Sequence, residues 1–158
     1  MLLRMKIWLY IWAIKNMYGF TKVSTKLLYA QTYHETGNYS SPVFKENKNL
    51  FGMRHPSKRK TYSQGSNLGH AVFKNHFNSV RDYFERQKEF NISNTNDTAY
   101  VLETVASNYA TDPNYSTKWE AIANKIKMPF TNGVMIALFF FLIFSGVMIF
   151  KAIKQNKK

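Results

Sequence analysis

The sequence predicts an α+β fold that is mostly α, with one small β hairpin, followed by one C-terminal membrane-spanning helix. Three observations carry that prediction. Apolar stretches at helical spacing, bounded by cap residues, recur between Ser24 and Ile126. One turn-rich segment, Gln64-Gly65-Ser66-Asn67-Leu68-Gly69, precedes a Val/Phe-rich run and suits a hairpin. Finally, Gly133–Phe150 runs for 18 residues without a charge. A run of ~18 or more reads as a membrane span, whereas ~10–14 more often means a buried core helix.

The first apolar stretch is Ile7–Ile14, behind the basic start Met1-Leu2-Leu3-Arg4-Met5-Lys6. It imitates a signal peptide, but Lys15-Asn16-Met17-Tyr18 follows where a small-residue cleavage site would stand. Eight apolar residues are too few to cross a bilayer. The stretch is therefore a first helix of the domain, or else an uncleaved export signal. The next helix runs from Thr25 to Glu35. Ser24 offers a hydroxyl to an orphan amide at its start, and Gly37 tolerates the left-handed turn at its end. Leu27, Leu28, Ala30 and Gln31 give it a mixed inner face.

Residues 53–77 read as a β segment, with the second strand over His70–Phe77. Ser79 and Asp82 then read as a helix start. Val80, Tyr83, Phe84 and Gln87 share one face, leaving Asp82, Glu85 and Glu89 to solvent. Residues 91–97 form a polar loop, and Asp97 caps a helix over Thr98–Ser107. Asp112 and Pro113 start the helix that carries Trp119, Ile122, Ala123 and Ile126. The expected organisation is a domain over 1–128, a span over 129–151 and a basic tail over 152–158. Lys151, Lys154, Lys157 and Lys158 favour a cytoplasmic tail by the positive-inside rule; Lys118, Lys125 and Lys127 oppose them from the other side.

Composition narrows the function classes. A chain of 158 residues suits one compact domain. With 22 basic and 9 acidic residues the net charge is +13; without the four tail lysines it is still +9. Such a surface favours polyanions such as nucleic acid, anionic lipid or cell-wall polymers. No glycine-rich phosphate loop, zinc-finger spacing or RNA-binding aromatic motif is present, so nucleic acid is not an expected partner. The absence of cysteine excludes disulfides, thiolate metal sites and cysteine nucleophiles. His34-Glu35 is not the helical zinc motif, because Asn38 stands where the second histidine would be. No metal and no cofactor are expected.

Among the nine carboxylates, Glu35 stands apart. It falls on the last turn of its helix, where a negative charge opposes the macrodipole. Such a locally poor choice can mark function. Glu103 and Glu120 sit within helices without special context, Asp112 reads as a cap, and Glu46 falls in a loop.

Three segments stand in order: Ala30-Gln31-Thr32-Tyr33-His34-Glu35-Thr36-Gly37, Asn49-Leu50-Phe51-Gly52, and Tyr109-Ala110-Thr111-Asp112-Pro113-Asn114-Tyr115. Together they make residues 11–127 resemble the bacterial glucosaminidase domain of glycoside hydrolase family 73, a group of peptidoglycan hydrolases. The resemblance implies a lysozyme-like fold, with a helical lobe and a small β lobe around a sugar-binding cleft. It places Glu35 as general acid and Tyr109 as an active-site tyrosine. It assigns Asn49, Phe51 and Tyr115 to the substrate cleft, with Gln64 as a further substrate-contacting position.

One departure stands out. Many members of that family place a second glutamate in the β lobe, but here the region reads Thr61-Tyr62-Ser63-Gln64-Gly65. Glutamine can act neither as base nor as nucleophile. Three explanations stay open: the sugar's own 2-acetamido group as nucleophile, Glu46 reaching the cleft from its loop, or a protein that binds glycan and cuts slowly or not at all. The expectation is a single-pass, membrane-anchored hydrolase with its catalytic domain on the cell-wall side. It would cut the β-1,4 bond after N-acetylglucosamine, with glycan strands and a lipid bilayer as partners. The alternative is a catalytically weak or inactive glycan-binding membrane protein that uses the same cleft.

Overall fold

A computed structural model describes residues 2–127. The apolar run expected to span a membrane lies outside them. Among the described residues no helix is long and apolar enough to cross a membrane. The observed fold is mostly helical α+β with a two-stranded antiparallel sheet.

Helix α1 (Leu2–Met17) contains the N-terminal apolar stretch. Ile7, Trp8, Ile11 and Ile14 recur at helical spacing and are all buried. Each covered side chain of this size is worth ~1.5–3 kcal/mol, which explains why the stretch joins the domain core. Lys15 on the same helix is buried too; its Nζ donates to the carbonyls of Phe20 (3.3 Å) and Thr21 (3.4 Å). Burial lowers its pKa.

Helix α2 (Thr25–Glu35) begins as expected, with Ser24 Oγ accepting from the Leu27 amide at 3.1 Å. It ends at Thr36, and Gly37 adopts φ +54° just beyond. A short helix, α3 (Pro42–Asn47), follows where a loop was expected. Its signal was present: Ser41 caps the Phe44 amide and Pro42 occupies the first turn. Glu46 rides on this helix and is exposed.

Strands β1 (Ser63–Asn67) and β2 (His70–Phe73) pair antiparallel, with Ser63 opposite Phe73 and Asn67 opposite His70. The β region is thus shorter than 53–77. Residues 54–62 hold no strand. The chain leaves β2 at Phe73 because Asn75 already caps α4 (His76–Glu89), its Oδ1 accepting from the Asn78 amide at 2.9 Å. Ser79, expected near the helix start, is instead buried inside it and accepts the Leu50 amide at 2.9 Å.

Helix α5 (Asp97–Ala106) is capped by Asn96 rather than Asp97, whose Oδ1 takes the Ser24 amide at 2.6 Å. Helix α6 (Tyr115–Lys125) starts after Asn114 rather than at Asp112. Asp112 instead accepts the Asn114 amide (2.9 Å) and pairs with Lys118 (2.6 Å). Trp119 of α6 is fully buried and donates to the Leu27 carbonyl at 2.7 Å, locking α6 onto α2. Val80, Tyr83, Phe84 and Gln87 all face the core, as their spacing predicts.

Asp82 overturns the expectation of a solvated carboxylate: its exposure is 0%. It accepts two bonds from Arg59 (3.1 and 2.6 Å), one from the Thr61 hydroxyl (2.6 Å) and one from the Tyr62 amide (2.8 Å). The irregular segment between Met53 and Ser63 folds over α4 to supply them. Glu89, further along α4, meets the same guanidinium at 3.4 Å, and Glu85 accepts the Tyr18 hydroxyl at 2.8 Å. A carboxylate so enclosed holds its segment because separating the partners strands a buried charge. Replacing Asp82 by Ala is expected to cost about 3 kcal/mol or more of stability, read as a lower urea midpoint with an unchanged slope.

Candidate active site

A cleft of about 750 Å³ opens beside the C-terminal end of α2. Its lining comes from four places: Glu35; the run Phe51–Arg59; Arg86, Glu89 and Phe90 at the end of α4; and Asn108–Asp112 with Tyr115 before and at the start of α6. His70 of β2 completes it.

Glu35 is fixed from two sides. The Tyr115 hydroxyl donates to its Oε1. Gly52 lies against the other oxygen, where an added Cβ would stand only 2.6 Å from Oε2. Gly52 also has φ +61°, so glycine is required there both by space and by backbone.

Behind Glu35 runs a line of buried donors. Tyr100 donates to the Tyr83 hydroxyl at 2.8 Å, and Tyr83 to Gln31 Oε1 at 2.7 Å. Gln31 Nε2 donates to the Tyr115 hydroxyl at 3.2 Å. Each link dictates the next. Tyr83 occupies the Gln31 oxygen, so the amide nitrogen must face Tyr115. Tyr115 then accepts from Gln31 and has its own proton left only for Glu35. Burial pushes the Tyr115 phenol well up, which keeps it a donor.

Burial also pushes the Glu35 carboxyl up, to about 7, against the Tyr115 bond, which lowers it. A group poised there can hold a proton near neutral pH and release it to a reacting atom.

The expected site residues fare differently. Glu35, Tyr109 and Tyr115 meet in the cleft: the two tyrosine rings are 5.8 Å apart, and Tyr109 donates to the Phe51 carbonyl. Asn49 does not reach the cleft as a substrate-binding side chain. It is 1% exposed, and its amide spends itself on the Met53 (2.8 Å) and Ala71 (3.0 Å) carbonyls and on the Phe51 (3.3 Å) and Met53 (3.1 Å) amides. It shapes the loop that brings Gly52 to Glu35. Phe51 borders the cleft, but its ring is buried and stacks on Tyr83 at 3.9 Å. Gln64 is exposed on β1 and is not among the cleft-lining residues, and neither is Glu46.

Sequence reasoning missed Glu89, Arg59 and Arg86 as cleft residues, and took Asp112 mainly for a cap. Position along α4 gives no hint that its last turns border a cleft. Asp112 carried a signal, since it belongs to the Tyr109–Tyr115 segment. Its carboxyl is held below the usual range by Lys118 first and then by the Asn114 amide.

Comparisons with known proteins agree with this architecture. The glucosaminidase family, described as mannosyl-glycoprotein endo-beta-N-acetylglucosaminidase, matches residues 12–128. No curated protein matches the chain. A chain in the solved structure of a type VI secretion system effector–immunity complex from Pseudomonas protegens is similar in fold. Its TM-score is 0.60 at 16% identity, over 77% of this chain and 84% of that one.

The elevated Glu35 pKa has a stability consequence. Between the ordinary value of 4.5 and about 7, the folded chain holds a proton that the unfolded chain has released. Stability from this group is therefore full below 4.5 and lost as pH rises towards 7. A glutamine side chain does not titrate. Glu35→Gln should therefore match the parent near pH 4.5 and exceed it above pH 7 by roughly 3 kcal/mol, seen as a pH-dependent difference in denaturation midpoint.

Proposed function

Because the chain belongs to the glucosaminidase family, matched over residues 12–128, we propose that it is a peptidoglycan hydrolase that cuts the β-1,4 bond after N-acetylglucosamine with Glu35 as general acid. The observation that carries this reading is a cleft carboxyl that burial raises to about 7, against the lowering effect of the bond from Tyr115.

The chemistry follows from that carboxyl. A glycosidic oxygen leaves poorly as an alkoxide, and protonation by Glu35 as the bond to the anomeric carbon breaks makes it a neutral alcohol. The developing positive charge at that carbon needs an electron pair. Glu89 faces Arg59 and Asp112 faces Lys118, so both other cleft carboxylates are already engaged by cations. The oxygen of the sugar's 2-acetamido group is the nearest remaining candidate within the substrate itself. Its attack closes a five-membered ring; water then opens it, giving its proton to the Glu35 carboxylate and retaining configuration. Tyr109 acts here as a phenol that holds the Phe51 carbonyl and walls the cleft, since burial raises its pKa well above the ordinary value.

The uncharged run over 133–150 supports a membrane tether, with the domain on the wall side of the bilayer and the lysines behind the run at the opposite face. The second reading is a glycan-binding protein of little or no activity. It is favoured by two observations: both other cleft carboxylates have basic partners, and Gln64 stands outside the cleft.

Glu35→Gln should abolish release of new N-acetylglucosamine reducing ends from purified peptidoglycan, a loss of ~10²-fold or more, while leaving the circular dichroism spectrum unchanged. Glycan binding without any product from the parent chain establishes the second reading instead. For an active parent, kcat/KM should fall on the alkaline side of about pH 7, where Glu35 loses its proton. Tyr115→Phe removes the interaction that lowers that pKa, so the alkaline limb should move to higher pH.

A further inference from the structure

The cleft holds more positive charge than its own carboxylates neutralise, and the lining cations that the protein does not itself hold by a hydrogen bond or ion pair lie on one wall. Four basic side chains line it: Arg54, Lys58, Arg59 and Arg86. Arg59 is committed to Asp82 and Glu89. Arg86 donates to Gln87 Oε1 (2.9 Å) and to the Ser107 carbonyl (3.0 Å) and hydroxyl (2.8 Å), and lies over the rings of Phe90 and Tyr109. Of the three lining carboxylates, Glu89 answers Arg59, Asp112 answers Lys118, and Glu35 is the proton donor of the proposed reaction. Arg54 and Lys58 remain. Both are exposed, and neither has an ion-pair partner among the described residues.

Their wall is held in place. Arg54–Arg59 all line the cleft as one unbroken stretch. At one end Met53 is tied by its amide to Asn49 (3.1 Å) and by its carbonyl to the Ala71 amide (2.8 Å). At the other, Arg59 is clamped by buried Asp82. No acidic residue occurs in sequence between Glu46 and Asp82 to compensate the wall from within. Two uncompensated cations on an anchored wall, beside a sugar-binding cleft, suit a negative group carried by the sugar chain.

We propose that Arg54 and Lys58 form an anion subsite that reads the free lactyl carboxylates of N-acetylmuramic acid along a glycan strand. The inference rests on the reading of this cleft as a glycan site. It makes an acidic strand, rather than a neutral polymer of N-acetylglucosamine, the substrate for which the cleft is selective. A phosphodiester on a wall polymer has the same charge sign, and the test separates the two sources.

Binding should be measured by calorimetry with the full chain in detergent. The probes are peptide-stripped glycan strands with free lactyl carboxylates, the same strands with those carboxylates capped as neutral amides, and amide-capped strands that still carry phosphodiester polymer. The parent should bind the carboxylate strands about tenfold more tightly than the capped ones, an advantage that shrinks as salt rises. Arg54→Gln/Lys58→Gln should bind both alike, while the charge-preserving Arg54→Lys/Lys58→Arg keeps the preference. Equal affinity of the parent for free and capped strands overturns the subsite. So does a double variant that loses affinity equally for both. Tightening only on the phosphodiester strands overturns the carboxylate assignment. Reducing-end release, measured in parallel, keeps the two readings apart: selective binding without cleavage overturns the hydrolase and leaves the subsite standing.

Discussion

The hydrogen bond from Tyr115 to Glu35 joins residues 80 positions apart, the last of α2 and the first of α6. The cleft depends on it, because it brings the two helix ends that border the site into one place. It does not stand alone. Trp119, one turn into α6, grips the Leu27 carbonyl further back along α2, and Gln31 holds Tyr115 from beneath. The bond therefore belongs to an α2–α6 seam that is buried and directional. A carboxyl at a helix C-terminus is electrostatically misplaced. Here the hydroxyl donor offsets part of that penalty, and burial favours the protonated form, so the misplaced charge becomes a proton store.

The rest of the site is held by polar side chains buried in otherwise apolar surroundings. Gln31 orients the donor, Asn49 folds the loop that carries Gly52, and Asp82 fastens the wall that carries Arg54 and Lys58. Each is under 2% exposed. Buried groups of this kind stabilise only when every lone pair and proton finds a partner, so they tolerate one arrangement and penalise others. These three bear on the places where the backbone is least regular: the end of α2, the Asn49–Met53 turn and the strandless segment over α4. Apolar packing forms the helices' contacts; the polar triad sets the shape of the cleft between them.

Charge follows the same division. The domain is basic as a whole, yet inside the cleft the cations are sorted into those that hold structure and those left for a ligand. Arg59 and Arg86 are spent on the protein; Arg54 and Lys58 are not. The carboxylates are sorted likewise, two paired with cations and one kept protonatable. A weakly charged reaction centre beside a positive wall is a consistent arrangement for an acid catalyst working on an anionic polymer.

The sequence by itself determined most of the helices and the hairpin, because these rest on short-range physics, and it offered the candidate acid through the resemblance carried by its three segments. Ser24 and Gly37 bound α2 through caps, Val80, Tyr83, Phe84 and Gln87 place a face through helical spacing, and Glu35 shows as a carboxylate at the wrong end of its helix. Where local signals competed, tertiary structure decided. Asn75 and Asn96 captured caps that Ser79 and Asp97 could equally have supplied, and Ser41-Pro42 started a helix inside an expected loop. The partners of Asp82, the buried role of Asn49 and the exclusion of Gln64 from the cleft also lay beyond sequence reading. Each depends on contacts made 20 or more positions away, or on which way a strandless segment folds, and spacing along the chain does not encode either.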